Sequence, residues 1–165
     1  MIRPVVRFPA AVLKLPSADV APGDFARALC QDLVDTMRAS PACVGLAAPQ
    51  IGVGARAFCL DVTGHPKAAD AQGLLVMIDP VIVAREGETL TREGCMSLPD
   101  FTGNVRRAHR VSVTGLTPDG EEIARECTGF EARALQHEID HLDGMLFLDR
   151  IESIATDLFR RKRYR

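Results

Sequence analysis

The chain has 165 residues, of which 47% are apolar and 25% charged, with 20 basic against 22 acidic side chains and a net charge of −2. These values describe one ordinary globular domain, residues 1–165, and exclude disorder, collagen-like repeats and coiled coil as whole-chain descriptions. So near-neutral a balance also argues against a general nucleic-acid binder, DNA included.

In chain order, the start comes first: Arg3, Pro4 and Arg7 break any apolar run before it could serve as an export signal. Residues 24–39 predict an amphipathic helix, because Phe25, Leu29, Leu33 and Met37 recur every fourth position and Ser40-Pro41 stops it. The longest uncharged stretch, Ala39 to Ala55, holds Pro41, Gly45, Pro49, Gly52 and Gly54, a loop-and-turn composition and no membrane span. From Val53 to about Cys127 the texture becomes short apolar runs. Phe58-Cys59-Leu60 and 74–78 predict buried strands, Thr63 to Gln72 a loop, and Val111 and Val113 an alternating strand. Thr117-Pro118-Asp119-Gly120 predicts the turn of a hairpin.

A second helix is predicted from Thr128 to Leu142, opened by a capping box of Thr128 with Glu131 and closed by Gly144. A C-terminal amphipathic helix is expected to follow, with Ile151, Ile154, Ala155, Leu158 and Phe159 on one face and Asp149 and Glu152 capping its start. Helix, several strands, then two helices predicts an α+β fold of mainly antiparallel sheets packed around the central helix.

Five cysteines, an odd number without regular spacing, read as reduced thiols in a cytoplasmic compartment. Inside the second helix stands His137-Glu138-Ile139-Asp140-His141. Four residues turn a helix through about 400°, so both imidazoles leave nearly the same face and can share one tetrahedral ion. Glu138 projects from the adjacent flank, within reach of a water at that ion. The ordinary alternative is a pair of surface histidines, but chance alone gives this pattern in roughly one such chain in two hundred. A third ligand has to lie upstream, since no histidine follows His141 and Glu152 is the one glutamate beyond it. Cys95, within Glu93-Gly94-Cys95-Met96-Ser97-Leu98-Pro99, is a candidate, although a lone cysteine is more often a small buried hydrophobe. The segment Cys43 to Gly52 is too apolar for an exposed loop and too rich in Gly and Pro for a helix interior, which predicts backbone packed closely against a strand or a substrate. Gln50 is its one amide side chain, able to donate a hydrogen bond into a site. On the residues alone, a peptide-cleaving metallopeptidase and a non-catalytic metal or nascent-chain binder remain open.

The three segments Cys43-Val44-Gly45-Leu46-Ala47-Ala48-Pro49-Gln50, Glu93-Gly94-Cys95-Met96-Ser97 and Gln136-His137-Glu138-Ile139-Asp140-His141, in that order, resemble the peptide deformylases. The resemblance covers most of the chain. It implies a hydrolase that removes the N-terminal formyl group from formylmethionyl nascent polypeptides and releases formate. Cys95, His137 and His141 would hold the metal, Fe2+ by resemblance, whereas the donor set itself suits Zn2+. Glu138 would be the proton carrier, with Gln50 and the Met96 backbone N–H as donors to the developing oxyanion. Val44, Gly45 and Gly94 would align the peptide as an added strand, and Gly45, Phe130, Ala134 and His137 would shape a methionine pocket. A monomer is implied.

Three departures stand out. Cys43 occupies a position where the family more often has Gly, which predicts strain if φ is positive there. Met96 replaces the commoner Leu, and Thr102 falls where many members carry a longer side chain that reaches the peptide. Glu93 is expected to pair with Arg106 or Arg107. The end, Arg160 to Arg165, holds five of the 20 basic residues, leaving 15 basic against 22 acidic before it. It reads either as a solvated helix end or as a contact with ribosomal RNA.

Overall fold

The structure, a computed structural model, describes residues 1–162. Arg163, Tyr164 and Arg165 of the basic end lie outside the described residues. Helix α1 spans Asp24–Ala39 and α2 spans Gly129–Leu142, while a single helical turn, α3, spans Ile154–Asp157. The strands are β1 (Gly45–Ala47), β2 (Ala57–Leu60), β3 (Leu75–Glu86), β4 (Thr89–Cys95), β5 (Leu98–Arg107), β6 (Arg110–Leu116), β7 (Glu122–Thr128) and β8 (Leu158–Arg160). They form two antiparallel sheets, one of five strands in the order β1-β2-β3-β6-β7 and one of three in the order β4-β5-β8. This is the expected α+β class.

The four apolar residues of β2 are buried on both faces because a helix covers each side of the larger sheet. On one side Leu29, Leu33 and Met37 of α1 pack with Ala57, Cys59 and Ile78. On the other, Leu135, Ile139 and Leu142 of α2 pack with Phe58, Leu60 and Met77. Each such large side chain, fully removed from water, contributes about 1.5–3 kcal/mol. A third cluster, Cys95, Leu98, Val105 and Phe147, lies against the smaller sheet. No helix among the described residues is long and apolar enough to cross a membrane.

Several expectations hold and several are corrected. Helix α1 has the expected bounds, the 63–72 segment is a loop, and the turn at Thr117 to Gly120 joins β6 to β7 through a 2.9 Å bond from the Gly120 N–H to the Thr117 carbonyl. Strand β3 runs eight residues beyond Ile78, past Asp79 at φ 49° and a register shift beside Pro80; its outer half is exposed, so no apolar run marks it. Thr128 makes no side-chain cap on α2, and Glu131 instead accepts hydrogen bonds from Gln72, including one of 2.6 Å from Nε2. The end of α2 is as expected: Gly144 at φ 74° sends its N–H to the His141 carbonyl and Met145 sends its N–H to Asp140, a Schellman closure.

The largest correction is at the C-terminus. The 3.6-residue periodicity of Ile151 to Phe159 does not make a long helix. Only one turn, Ile154–Asp157, is helical, and Leu158–Arg160 then pairs with Phe101 to Gly103 on the open edge of β5. Asp149 caps a preceding 3-10 turn by accepting from the Leu146 N–H, and Glu152 pairs with Arg106. A segment this short gains little from helix propagation, and an unpaired strand edge satisfies its backbone better.

Candidate metal centre

Helix α2 lays His137 and His141 one turn apart with ring centroids 4.9 Å from each other, edge to face. Facing them is Cys95, the last residue of β4, where a register shift between Gly94 and Cys95 turns the chain through Met96-Ser97 into β5. The Cys95 Sγ lies 3.4 Å from His141 Nε2, and one donor atom of each of the three residues lies within 4.8 Å of the other two. Metal–sulfur and metal–nitrogen bonds of ordinary length meeting at a tetrahedral angle require about 3.5 Å between their donors. The three residues therefore fit one divalent cation.

Behind the ligands runs a charged chain. His137 Nδ1 is 2.9 Å from Glu93 Oε1, which leaves Nε2 free to face the cation. Arg107 donates twice to Glu93, at 2.7 and 2.9 Å, and once to Asp140 at 2.6 Å; Arg150 donates twice to the same Asp140. Of the two arginines expected beside Glu93, Arg107 takes the role, and Arg106 pairs with Glu88 and Glu152 on the surface. Burial pushes Glu93 up, but the Arg107 and His137 bonds outweigh it and hold the carboxyl down at about 2. Burial lowers His141 well below the imidazole range, whereas His137, 11% exposed, is held well above it by bonds to Cys95 and Glu93 that outweigh its own burial.

Glu138 is 4% exposed, and burial lifts its carboxyl to about 7. Its Oε2 has no hydrogen-bond partner among the described residues, and neither has His141 Nδ1. A buried carboxyl poised near neutrality with an unused oxygen is a competent proton carrier. Room for it depends on Gly45, where a Cβ would stand 2.7 Å from Glu138 Oε1. Gln50, 2% exposed, is locked by its Oε1 accepting from the Ala47 N–H at 3.0 Å, and its Nε2 points to Cys95 Sγ at 3.5 Å and Ser97 Oγ at 3.3 Å.

One cavity of about 350 Å³ joins these parts. Val44, Gly45, Gln50, Gly94, Cys95, Met96, Phe130, Ala134, His137 and Glu138 all line it; His141 lies beneath. Phe130, Ala134, His137 and Glu138 share one face of α2, and the other walls are β1 and β4, the edge strands of the two sheets. Cys43 also lines the cavity, yet the left-handed φ of 58° belongs to Ala42, so Cys43 carries no backbone strain. Cys30, Cys59 and Cys127 are buried apart from the site, as small hydrophobes. Asp140 stands within the His137–His141 segment, but its support from Arg107 and Arg150 is not written there, and nothing local places Arg92, Arg133, Arg161 or His65 in the cavity wall.

The family model of the polypeptide deformylases matches residues 2–157. The peptide deformylase of Thermodesulfovibrio yellowstonii is 44% identical over 160 residues, covering 96% of this chain and 94% of that protein. Peptide deformylase 1 of Bacillus subtilis is 39% identical over 157 residues, covering 94% of each. Among solved structures, a Met-Ala-Ser-bound class I type b peptide deformylase from Acinetobacter baumannii superposes with a TM-score of 0.84 at 35% identity, covering 92% of this chain and 99% of that one. The match embraces all three segments around the cavity as well as the fold that brings them together, and the chain belongs to the polypeptide deformylase family.

Proposed function

We propose that this protein is a metal-dependent hydrolase that removes the formyl group from the N-terminal methionine of new polypeptides and releases formate. The observation that carries the reading is Glu138: a buried carboxyl near neutrality, with one oxygen unused, beside three convergent metal donors. Cys95, His137 and His141 hold the cation, Fe2+ by family and Zn2+ by donor chemistry. Such an ion supplies Lewis acidity, bringing the pKa of water from 15.7 down toward about 7.

The chain's own residues do the rest. Glu138 Oε2 accepts the proton from the attacking water and passes it to the leaving nitrogen, a transfer worth about 10²–10⁴ in rate. Gln50 Nε2 and the Met96 N–H donate to the oxygen on which charge develops, about 10²–10³ for each donor. The edges of β1 and β4 receive the peptide as an added strand through Val44, Gly45 and Gly94, so recognition falls on backbone and many sequences are accepted. The methionine side chain enters between Phe130, Ala134 and Gly45. The protein acts as a monomer in the cytoplasm, and its basic end, through exposed Arg160 and Lys162 rather than the cavity-lining Arg161, gives it a contact with ribosomal RNA.

Glu138→Gln tests the reading. It keeps the size of the side chain and removes the proton carrier, so the variant is expected to fold and retain its metal while formate release falls about 10²–10⁴-fold. A variant with wild-type rate would remove Glu138 from the mechanism. Cleavage of an unformylated Met-peptide by the wild type, without formate release, would make the protein a peptidase.

A further inference from the structure

The buried floor of the cavity is fully used by the chemistry above, but its outer wall is not. That wall holds three arginines, Arg92, Arg133 and Arg161, with Arg133 half-buried and Arg92 and Arg161 exposed. Seven arginines around the fold have a carboxylate partner: Arg3, Arg27, Arg56, Arg106, Arg107, Arg110 and Arg150. These three have none among the described residues. The two acids that line the cavity are committed, Glu93 to Arg107 and His137, and Glu138 to the floor.

The three cations are also held toward the opening. The Arg92 guanidinium lies 3.6 Å above the centre of the Phe159 ring, and Arg133 stacks over Phe130 at 5.6 Å. Arg161 follows β8, its N–H donating to the Asp100 carbonyl at 2.8 Å. Its guanidinium crosses the small sheet and fills the space that a side chain at Gly94 would take, beside the short Thr102. Bare Gly94 and short Thr102 thus let a cation from the third strand reach the cavity. Guanidinium groups laid on rings keep their charge and their outward N–H donors while losing little freedom on binding.

We propose that Arg92, Arg133 and Arg161 form a cationic rim that selects peptides with Asp or Glu at the residues just after the methionine. The inference rests on the deformylation reading, which places the methionine on the cavity floor and the following residues at this rim. A carboxylate there meets donors in fork geometry, and three like charges lining one cavity with no counter-ion among the described residues raise the local concentration of acidic chains.

The test uses C-terminally amidated formyl-Met peptides, so that side chains supply the only carboxylates: Met-Asp-Asp-Ala, Met-Ala-Ser-Ala and Met-Lys-Lys-Ala. At low salt the acidic peptide is expected to exceed the neutral one in kcat/KM by about five- to twentyfold, the advantage shrinking toward one at 0.5 M salt. Arg161→Gln together with Arg133→Gln should cut that ratio by about threefold or more, and Arg161→Lys should keep most of it. Calorimetric binding of the unformylated acidic and neutral peptides gives the same comparison without turnover. Formate release at equal rates from all three peptides, or a ratio untouched by the double variant, would overturn the rim and leave deformylation standing. Preferential binding of the acidic peptide with no formate from any would do the reverse.

Discussion

Replacing Arg107 by Met is the sharpest structural test. The Arg107 side chain is 2% exposed, and among the described residues its guanidinium is the only positive charge on Glu93 apart from His137. Methionine fills much the same volume without donors. Asp140 keeps Arg150, but Glu93 loses two charge-assisted bonds while remaining 11% exposed. Removing one partner of a buried ion pair costs about 3–5 kcal/mol, and the retained Arg150 contact argues for the lower end, about 3 kcal/mol. In a domain of this size that lowers Tm by roughly 6–12 °C. Because Glu93 also orients His137, metal affinity should fall about 10–100-fold. Thermal unfolding and competition against a chelator measure the two effects separately. Arg106→Met is the control: its pairs with Glu88 and Glu152 are exposed, and its effect should stay within about 0.5 kcal/mol. An Arg107→Met protein with unchanged Tm and metal retention would show that the charged chain behind the ligands is idle.

Gly45→Ala places a Cβ 2.7 Å from Glu138 Oε1, so formate release should fall about 10²-fold with little change in Tm; a fully active variant would mean that the carboxyl has room to spare. Gly144→Ala combines φ 74° with a Cβ 2.8 Å from the Leu15 backbone, and chemical denaturation should show a loss of about 2–3 kcal/mol. Burial raises the Cys30 thiol to about 11 and Cys127 to about 12, so both stay protonated at pH 8; mass spectrometry after iodoacetamide treatment of the folded protein should find them unmodified.

The reactive centre was legible where chemistry is written locally. His137, Glu138 and His141 sit within one helical turn, and the period of the helix alone puts them on one side. Cys95 and Gln50 were legible through the recurrence of whole segments, since nothing in a single cysteine or glutamine distinguishes a ligand from a core residue. Arg107 and Asp140 were not singled out as a pair, because 33 residues separate them and only folding makes them neighbours. The C-terminal stretch shows the opposite failure: a sound local pattern at Ile151 to Phe159 gave way to a vacant strand edge that no local pattern reveals. In the same way β4 escaped notice because its alternating exposure leaves mostly polar residues, Thr, Arg and Glu, in a strand.

Cys95 closes the edge of the small sheet, whereas His137 and His141 belong to the helix that backs the large one, and 46 positions of chain separate Cys95 from His141. An ion gripped by all three is therefore a rivet between two halves of the molecule as well as a reagent. Each loading event draws on the same free energy that holds the sheets in register, so catalytic competence and resistance to unfolding rise and fall together with the supply of the ion.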